Sequence, residues 1–434
     1  MITACEVYLW GTRIGVIYQD NHLGPGRFEY DKKFLNSGIE LSPFMMPLSG
    51  RIYSFPELVR LEAFHGLPGL FADSLPDKFG NAVIEQWLIS HGRSISSFSA
   101  IERLCYTGKR GMGALEYVPA TETAASDEDI DVTDMVELAT EVLADKEQSV
   151  LNQNKAAVAQ LIEIGSSAGG ARAKAVISWN PKTGIIKSGQ VKAGEGFEQW
   201  IIKFDGVSKN GDHGLVDKKQ YSLIEYAYYL MALDSGIDMM ECRILSKDGL
   251  NHFMTKRFDR INGKKIHVQT LAALKHLDYN QPGACSYEMY ADCARRLGIG
   301  KEGIKQLYRR MVFNVLSANC DDHVKNFAFL MDRKGEWRLS PAYDLTFAYN
   351  PNNKWISEHQ MRINNKSHGI TDSDLVQAGI NMNLTKEYCI SVFEEISRVV
   401  NNWDEYAMKA GISEERSEEI RNGMINCNNV CLIS

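Results

Sequence analysis

The sequence predicts an α+β protein with two lobes, the first rich in strands and the second rich in helices. The chain has 434 residues, of which 44% are hydrophobic and 24% charged, and this is enough material for at least two cores. Short apolar runs separated by glycine and proline turns prevail up to about residue 260. Apolar residues at helical spacing prevail from about residue 285 onward. Lobes of such different make-up would leave a cleft between them.

The segment 1–118 is predicted to form a small N-terminal α/β subdomain. It contains strand-like runs such as "CEVYLW" and "RIGVIYQD", glycine and proline turns, and one helix candidate, "KFGNAVIEQWLISHG". The acidic stretch "TETAASDEDIDVTD" comes next and is nearly free of large apolar residues. It indicates a solvated boundary.

The remaining chain divides into a sheet-rich and a helical segment. In 119–265, strand-like runs such as "KAVISW" and "QWIIKF" precede the helix candidate "KKQYSLIEYAYYLMALDSG". In 266–434, the runs "SYEMYADCARRLG" and "GIKQLYRRMVFNVLSA" predict helices, and "FAFLMD" and "EWRLS" predict two short strands. We therefore expect a helical C-terminal lobe after residue 265.

The overall charge argues against direct binding of nucleic acid. The formal net charge is −7 at pH 7, so a broad basic surface for a phosphate backbone is not expected. The first residues lack a basic segment followed by an apolar one, and no run approaches the roughly 20 apolar residues that span a bilayer. We expect a cytoplasmic protein with no membrane partner.

The nine cysteines are scattered without a C-x-x-C pair. This pattern favours reduced thiols over disulfides or a zinc ribbon. Cys427 and Cys431 form the closest pair, but no histidine lies near them in the sequence. We interpret them as part of a frayed C-terminal tail rather than a metal site.

A glycine-rich stretch supplies the first part that phosphoryl transfer needs. Backbone amides must cradle the phosphates, and the small residues of "IGSSAGGARAK" allow such an approach. The stretch is not a Walker A motif, because Ala171-Arg172 stands where lysine and serine or threonine are required. A plain turn remains an alternative. Lys203, in the strand-like run "QWIIKFDG", could point into a cleft or toward solvent.

The loop "NCDDHVKN" contains candidates for the catalytic base and for a metal ligand of a phosphoryl-transfer site. If Asp321 is a base, Asn326 follows at the separation that joins the catalytic aspartate and the metal-binding asparagine in kinases. Asp344 in "SPAYDLT" follows two short strands, where a second metal carboxylate would stand. Lys325 could neutralise the transferred phosphoryl group.

Two other interpretations of this loop stay open. Asp321, His323 and Asp344 could be three ligands of a catalytic metal in a hydrolase or an oxygenase. Alternatively, the loop could be purely structural, with His323 bracing it through a backbone hydrogen bond and Asp322 solvated.

These motifs together resemble the HipA family of bacterial serine/threonine kinase toxins. The likeness rests on "NCDDHVKNFAFL", "LSPAYDLT", "SSAGGARAK", "KRFDR" and "FADSLPDKFG", and it covers almost the whole chain. It implies a two-lobed, protein-kinase-like fold, in which a small N-terminal subdomain is built onto the nucleotide-binding lobe. It also implies a protein kinase that depends on ATP and Mg²⁺ and is the toxin of a type II toxin-antitoxin pair.

The resemblance also implies roles for individual residues. Asp321 corresponds to the catalytic base, and Asn326 and Asp344 correspond to the Mg²⁺ ligands. The other implied contacts are with ATP. The phosphate-binding loop corresponds to Gly169, Gly170, Ala171, Arg172, Ala173 and Lys174, and the nucleotide-binding lysine corresponds to Lys203. The hinge that holds adenine corresponds to Lys256, Arg257 and Phe258, and the nucleotide end is lined by His323, Lys325 and Tyr343.

Regulation and partners are implied in the same way. Ser167, or its neighbour Ser166, matches the position at which family members phosphorylate themselves, and added phosphate charge there would be repelled by the triphosphate. The family acts on a protein serine, in the best-known case on an aminoacyl-tRNA synthetase. Its members are neutralised by a helix-turn-helix, HipB-like antitoxin that binds DNA, so DNA would be reached only indirectly. A weakly active or inactive corepressor that bridges such an antitoxin is the alternative.

Overall fold

The computed structural model describes residues 2–21, 23–121, 129–143, 172–191, 193–207 and 220–428. The chain forms two compact units. The first comprises Met1–Ser222 with Arg243–Gln269, and the second comprises Leu223–Cys242 with Thr270–Ser434. The predicted segments 1–118 and 119–265 thus fall largely into one unit, and the helix predicted within 119–265 belongs mostly to the other. The proposed boundaries at residues 118 and 265 stay a prediction.

An antiparallel sheet of five strands, in the order β4-β3-β2-β1-β5, opens the first unit. The strands are β1 (Ala4–Leu9), β2 (Thr12–Tyr18), β3 (Arg27–Tyr30), β4 (Tyr53–Ser54) and β5 (Leu115–Val118). Alternate residues of β1 are buried, as the period of two predicts. Gly15 in β2 is required by close packing, since a Cβ there would lie 2.2 Å from the Glu29 carbonyl oxygen.

The described part of the first unit contains the α-helices α1 (Gly69–Ala72), α2 (Lys78–Ser90), α3 (Ala100–Thr107) and α4 (Val132–Leu143). The start of α2 is fixed by Asp77, whose side chain accepts a hydrogen bond from the Gly80 amide at 2.7 Å. A capping box of Ser99 and Glu102 begins α3. The predicted helix "KFGNAVIEQWLISHG" is therefore present as α2.

A second antiparallel sheet, in the order β7-β6-β8-β10-β9, completes the core of the first unit. Its strands are β6 (Lys174–Trp179), β7 (Ile186–Ser188), β8 (Glu198–Lys203), β9 (Cys242–Lys247) and β10 (Leu250–Lys256). All of β6 is buried, and residues such as Trp200 and Ile202 share one apolar cluster with α2 and α4. Three short strands follow: β11 (Arg260–Ile261), β12 (Lys264–Lys265) and β13 (His267–Thr270).

The second unit is mainly helical. Its helices are α5 (Tyr221–Asp234, from Leu223 onward), α6 (Leu271–Lys275), α7 (Tyr287–Arg296), α8 (Lys301–Leu316), α9 (Asp372–Asn381), α10 (Lys386–Asn401), α11 (Trp403–Ala410) and α12 (Glu414–Asn428). The strands β14 (Ala328–Met331) and β15 (Trp337–Leu339) pair antiparallel, with Leu330 opposite Arg338.

Helix α8 lies at the centre of the second unit and leads directly to the predicted catalytic loop. It contacts α7, α10 and α12, and its residues Leu307, Met311 and Phe313 are completely buried. The Tyr228 hydroxyl on α5 donates a hydrogen bond to the Ser317 carbonyl at the end of α8. Because so many elements hold α8, the loop that follows begins from a fixed point. Among the described helices, none has the length and apolar character needed to cross a membrane.

Candidate active site

The loop Asn319–Asn326 leaves α8 through a sharp change in backbone direction. Ala318 has a positive φ of 55°, and the Asn319 amide then donates to the Asn314 carbonyl at 2.9 Å. The buried Asn319 side chain donates to the Asn314 side-chain oxygen at 3.0 Å. Ala348 forms a parallel bridge with Asn319, with a Cys320 N–H to Ala348 carbonyl bond of 3.0 Å. The beginning of the loop is therefore held on both sides.

Asp322 is buried at the centre of a polar network. Its Oδ2 accepts from the Tyr287 hydroxyl at 2.8 Å and pairs with His359 Nδ1 at 3.1 Å. Its Oδ1 accepts from the backbone amide of Gln360 at 2.7 Å. The interpretation of Asp322 as a solvated residue is therefore wrong. A buried carboxylate needs such partners, and here three residues from two segments of the chain supply them.

The surroundings of Asp322 shift two neighbouring pKa values. Burial opposes the charged form of His359, but the charge of Asp322 and their hydrogen bond outweigh it, so the pKa of His359 lies above its ordinary value. Burial, together with the Asp322 charge, raises the pKa of Tyr287 well above its ordinary value. Tyr287 therefore stays protonated and remains a donor to Asp322.

Asp321 is half-buried, and its carboxylate is oriented by Gln360. The Gln360 Nε2 donates to Asp321 Oδ1 at 3.2 Å, while the Gln360 backbone amide bonds the adjacent Asp322. One residue thus holds both acids of the pair. Sequence reasoning missed Gln360, because it lies far along the chain in a stretch without a recognisable motif.

Asn326 faces back across the loop toward Asp321. Its Nδ2 donates to the Asp321 backbone carbonyl at 2.9 Å, and its backbone amide donates to the His323 carbonyl at 2.8 Å within a single 3-10 turn, Val324–Asn326. Because the side-chain nitrogen is bound inside the loop, the side-chain oxygen is the atom of this carboxamide that could bind a metal. That oxygen is the kind of ligand that Mg²⁺ accepts.

A cluster of aromatic side chains and one lysine lies beside this turn. The Lys325 Nζ lies 4.8 Å from the centre of the Tyr279 ring, and the Tyr279 and His323 ring centres are 5.7 Å apart. The Tyr343 hydroxyl donates to the Lys325 carbonyl at 2.7 Å. The structure therefore brings together the predicted His323, Lys325 and Tyr343. Tyr279 was not predicted, since nothing near it in the sequence marks it.

Asp344 lies in a backbone conformation that few residues adopt. Its φ is +57°, in the left-handed region where aspartate is tolerated better than most side chains. Two residues earlier, the Ala342 amide donates to the Asp238 carbonyl at 2.8 Å, and Ala342 forms a parallel bridge with Met239. The turn that presents Asp344 is therefore anchored, and such strained positions concentrate at functional sites.

The three-ligand alternative for this loop finds no support in the geometry. Among the described residues, the His, Cys, Asp and Glu side chains close enough to share a metal ion are Cys320, His359 and Cys427. Asp321, His323 and Asp344 do not form such a group. The His323 Nδ1 also has no hydrogen-bond partner among the described residues, so this nitrogen does not brace the loop.

The residues predicted for the phosphate-binding loop are only partly described. Ser166, Ser167, Gly169, Gly170 and Ala171 lie outside the described residues.

The last three residues of the predicted loop belong to the first unit, and each has a contact there. The Arg172 guanidinium stacks 3.7 Å from the centre of the Tyr221 ring. Ala173 is buried. Lys174 is also buried, with its Nζ 3.8 Å from Asp77 Oδ2.

Lys203 is the last residue of β8, and its side chain is half-buried. It lies opposite Phe253 of β10 in the antiparallel register, and its Nζ is 5.8 Å from the centre of the Phe253 ring. It also lies opposite Lys174 of β6. Its predicted contact with the nucleotide stays a prediction.

The predicted hinge, Lys256–Phe258, has two of its three side chains in ion pairs. Lys256 pairs with Glu198 at 2.7 Å. Arg257 makes two hydrogen bonds of 2.8 Å to Asp259. Phe258 is half-buried. The guanidinium of Arg257 is therefore engaged with Asp259, and its predicted role toward adenine stays a prediction.

Asp259 is completely buried between two arginines. Burial by itself would raise the pKa of Asp259, but Arg257 and Arg260 outweigh it and hold the pKa well below its ordinary value. Asp259 also accepts a 2.7 Å hydrogen bond from the Gly113 amide. The hinge is thus joined to the N-terminal part of the same unit.

Two family models match this chain. The HipA-like C-terminal domain matches residues 166–416, and the HipA N-terminal domain matches residues 5–118. The chain belongs to the HipA family. The first match alone covers more than half of the 434 residues and includes the whole loop described above.

A solved structure of the HipA family has a similar fold. Shewanella oneidensis HipA, from a complex with HipB and operator DNA, matches with a TM-score of 0.68 at 17% identity, over 97% of this chain and 96% of that one. The predicted fold class is therefore confirmed: α+β, HipA-like and thus kinase-like, with a helical C-terminal part.

Curated relatives of this HipA-family chain are named as candidate kinases. A protein of Haemophilus influenzae is 28% identical over 167 residues, which make up 34% of this chain and 49% of the relative. Kinase Y4dM of Sinorhizobium fredii is 26% identical over 167 residues, 34% of this chain and 36% of the relative. This chain thus spans about half of the first relative's length and about a third of the second's.

Proposed function

We propose that this HipA-family protein is a serine/threonine protein kinase that uses ATP and Mg²⁺. The observation that carries the proposal is the arrangement of the loop: Asp321 is a half-buried carboxylate oriented by Gln360, and Asn326 is turned by its bond to the Asp321 carbonyl. A carboxylate that accepts the proton of a substrate hydroxyl and an adjacent amide oxygen for the metal are what phosphoryl transfer requires.

Asp321 acts as the base in this proposal. Its carboxylate accepts the hydrogen bond of the serine hydroxyl and receives the proton as the oxygen attacks the γ-phosphorus of ATP. The bond between the γ-phosphorus and the β-phosphate oxygen breaks, and ADP leaves. Gln360 keeps the carboxylate in one orientation. Lys325, beside the Tyr279 ring, would offset the negative charge on the transferred phosphoryl group.

Asn326 and Asp344 are the residues that would hold Mg²⁺. The donor set fits, because a carboxamide oxygen and a carboxylate are oxygen ligands and Mg²⁺ prefers oxygen. When bound, the ion neutralises charge on the β- and γ-phosphates. Lys203 and the segment Lys256–Phe258 are proposed to bind ATP, as are Gly169–Lys174, and His323 and Tyr343 are proposed to line the nucleotide end.

The proposal extends to the regulation of the kinase and to its partner proteins. We infer that Ser167 or Ser166 accepts phosphate from the protein's own active site, which would turn the kinase off by charge repulsion. The protein would act as the toxin of a pair with a HipB-like antitoxin, and its substrate would be a serine of a translation component such as an aminoacyl-tRNA synthetase. The solved Shewanella complex, which contains HipB and operator DNA, supports this kind of partner. The net charge of −7 favours contact with DNA through the partner rather than directly.

The test is incubation with radiolabelled ATP and Mg²⁺. The wild-type protein should become labelled, and Asp321→Asn should lower the initial rate about 10²- to 10⁴-fold, the range for loss of a general base. Asp292→Asn is the matched control, because Asp292 is an exposed aspartate on α7 of the same unit. It should label like the wild type.

Two results would overturn the proposal. Equal labelling of wild type and Asp321→Asn would remove Asp321 from the chemistry. The second result is that the wild-type protein labels neither itself nor a supplied aminoacyl-tRNA synthetase. This would favour a corepressor that bridges an antitoxin without catalysis.

A further inference from the structure

Three potential metal ligands, Cys320, His359 and Cys427, lie close together at the start of the loop that contains Asp321. The Cys320 and Cys427 Sγ atoms are 3.4 Å apart, and the Cys320 Sγ is 3.9 Å from His359 Nε2. All three ligand atoms lie within 4.8 Å of one another. Cys320 comes from the loop, Cys427 from α12 and His359 from the segment between β15 and α9. The interpretation as a frayed tail is therefore wrong for Cys427, and Cys431 lies outside the described residues.

The histidine is already oriented as a metal ligand would be. Its Nδ1 pairs with Asp322 Oδ2 at 3.1 Å, which leaves Nε2 facing the sulfurs. Metal-bound histidines almost always donate their second ring N–H to a carboxylate or carbonyl, which fixes the tautomer and the ring orientation. Asp322 supplies that carboxylate from within the buried network.

We propose that Cys320, Cys427 and His359 bind a divalent metal of the zinc class. Thiolate and imidazole are ligands that zinc favours, whereas Mg²⁺ requires oxygen. Zinc–sulfur bonds of about 2.3 Å at tetrahedral angles place two sulfurs about 3.8 Å apart. The 3.4 Å separation here approaches that value and exceeds the roughly 2.05 Å bond of a disulfide.

The charge and proton balance of binding is simple. Each thiol loses its proton to solvent, so the two thiolates offset the two charges of the metal. Any second proton on the His359 ring is also released to solvent, and His359 binds as neutral imidazole through Nε2. With three ligands from the described residues, a water molecule can complete the coordination. No electron transfer is involved.

The metal would join α12 to the catalytic loop. Cys320 directly precedes Asp321, and Asp322 shares Gln360 with Asp321. Occupancy of the site would therefore restrict the backbone that positions the proposed base. The metal site itself stands on Cys320, His359 and Cys427 and does not depend on kinase activity, so its test reads metal binding alone.

The test is titration of the full-length, reduced and metal-free protein with Co²⁺, which reports thiolate ligation by absorption. The wild type should bind one equivalent and develop thiolate-to-cobalt charge-transfer bands together with the visible bands of tetrahedral cobalt. Zn²⁺ should then displace the cobalt and bleach both. Cys427→Ser should weaken binding at least tenfold, and because Cys427 is only half-buried, this variant is expected to fold.

Two further variants test the outer-shell partner of His359 and the specificity of the loss. Asp322→Asn should lower the affinity about 10- to 100-fold, as loss of an outer-shell partner does. Cys105→Ser is the matched control, since Cys105 is a buried free cysteine of the first unit, whereas the three proposed ligands belong to the second. It should bind cobalt like the wild type, and circular dichroism should check the folding of every variant.

Two outcomes would overturn the proposal. One is the absence of thiolate-to-cobalt bands at one equivalent in folded, reduced wild-type protein. The other is equal affinity in wild type, Cys427→Ser and Cys105→Ser, which would place the bound metal elsewhere.

Discussion

Asp321 and Asp322 are adjacent acids with different surroundings. Asp321 is half-buried and accepts a hydrogen bond from the Gln360 side chain, whereas the Asp322 side chain is fully shielded and bound by Tyr287, His359 and the Gln360 amide. A reactive carboxylate must reach a substrate, and a structural one must be satisfied internally. The two residues are therefore expected to differ in what their loss affects.

Removal of Asp322 should destabilise the protein far more than removal of Asp321. Asp322→Ala leaves the buried Tyr287 and His359 without their acceptor, so the free energy of unfolding should fall by about 3–5 kcal/mol, as it does when one member of a buried pair is lost. Asp321→Ala should change the free energy of unfolding by less than about 1 kcal/mol, because Asp321 is not part of the buried network. Urea denaturation followed by circular dichroism measures both. Similar losses in the two variants would contradict the assignment of roles.

At the scale of the element, β2 depends on a residue with no side chain. A Cβ at Gly15 would meet the Glu29 carbonyl at 2.2 Å and two atoms of the Phe28 ring at 2.7 Å. Both neighbours belong to β3, which pairs directly with β2 in the register Gly15 to Tyr30. The close approach of these two strands therefore requires glycine.

Gly15→Ala is expected to lower the free energy of unfolding by about 1–3 kcal/mol, the range for overpacking a filled site. Gly50→Ala is the matched control in the same unit, because a Cβ there meets only Leu35 Cδ1, at 3.9 Å. Its midpoint in urea should stay near that of the wild type. Equal effects of the two substitutions would show that the Gly15 contact is relieved by movement of β3.

At the scale of the whole molecule, the Asp259 cluster joins distant parts of the first unit. The Asp259 carboxylate binds Arg257, Arg260 and the Gly113 amide, and the Arg260 guanidinium donates to the Gly111 and Gly113 carbonyls. The N-terminal part and the second sheet are thus linked by a buried ion cluster. The contribution of this cluster to the free energy of unfolding must depend on pH.

The sign of that dependence follows from the lowered pKa of Asp259. The carboxylate stabilises the folded state above the unfolded pKa of about 3.9, and this contribution is lost as the pH falls below that value toward the folded pKa. Asp259→Asn should therefore unfold more easily at pH 7 and show a shallower loss of stability below about pH 4. Urea midpoints measured from pH 7 to pH 2.5 test this.

The exposed Asp20, which pairs with Arg27 at the surface, offers the control for that measurement. Asp20→Asn should keep the acid-side slope of the wild type, since a surface ion pair contributes little. If the urea midpoint of Asp259→Asn fell with decreasing pH as steeply as that of the wild type, a group other than Asp259 would be responsible for the loss of stability in acid.

Much of the candidate site was predictable because its residues are close together in the sequence. Asp321, His323, Lys325 and Asn326 lie in one short loop whose spacing is typical of kinases, and the structure places them around a single 3-10 turn. Asp344 follows the two predicted strands, β14 and β15. Local spacing and hydrophobic periodicity carry this information, since both act over a few residues.

The sequence by itself determined the α+β class, the HipA likeness and the loop that holds the proposed base. Only the tertiary structure decided that Asp322 is buried, that Gln360 orients Asp321, and that Cys427 lies beside Cys320 and His359. The physical reason is chain separation. These contacts join residues tens to about a hundred positions apart, and their proximity results from the packing of α8, α12 and the intervening segment rather than from any local pattern.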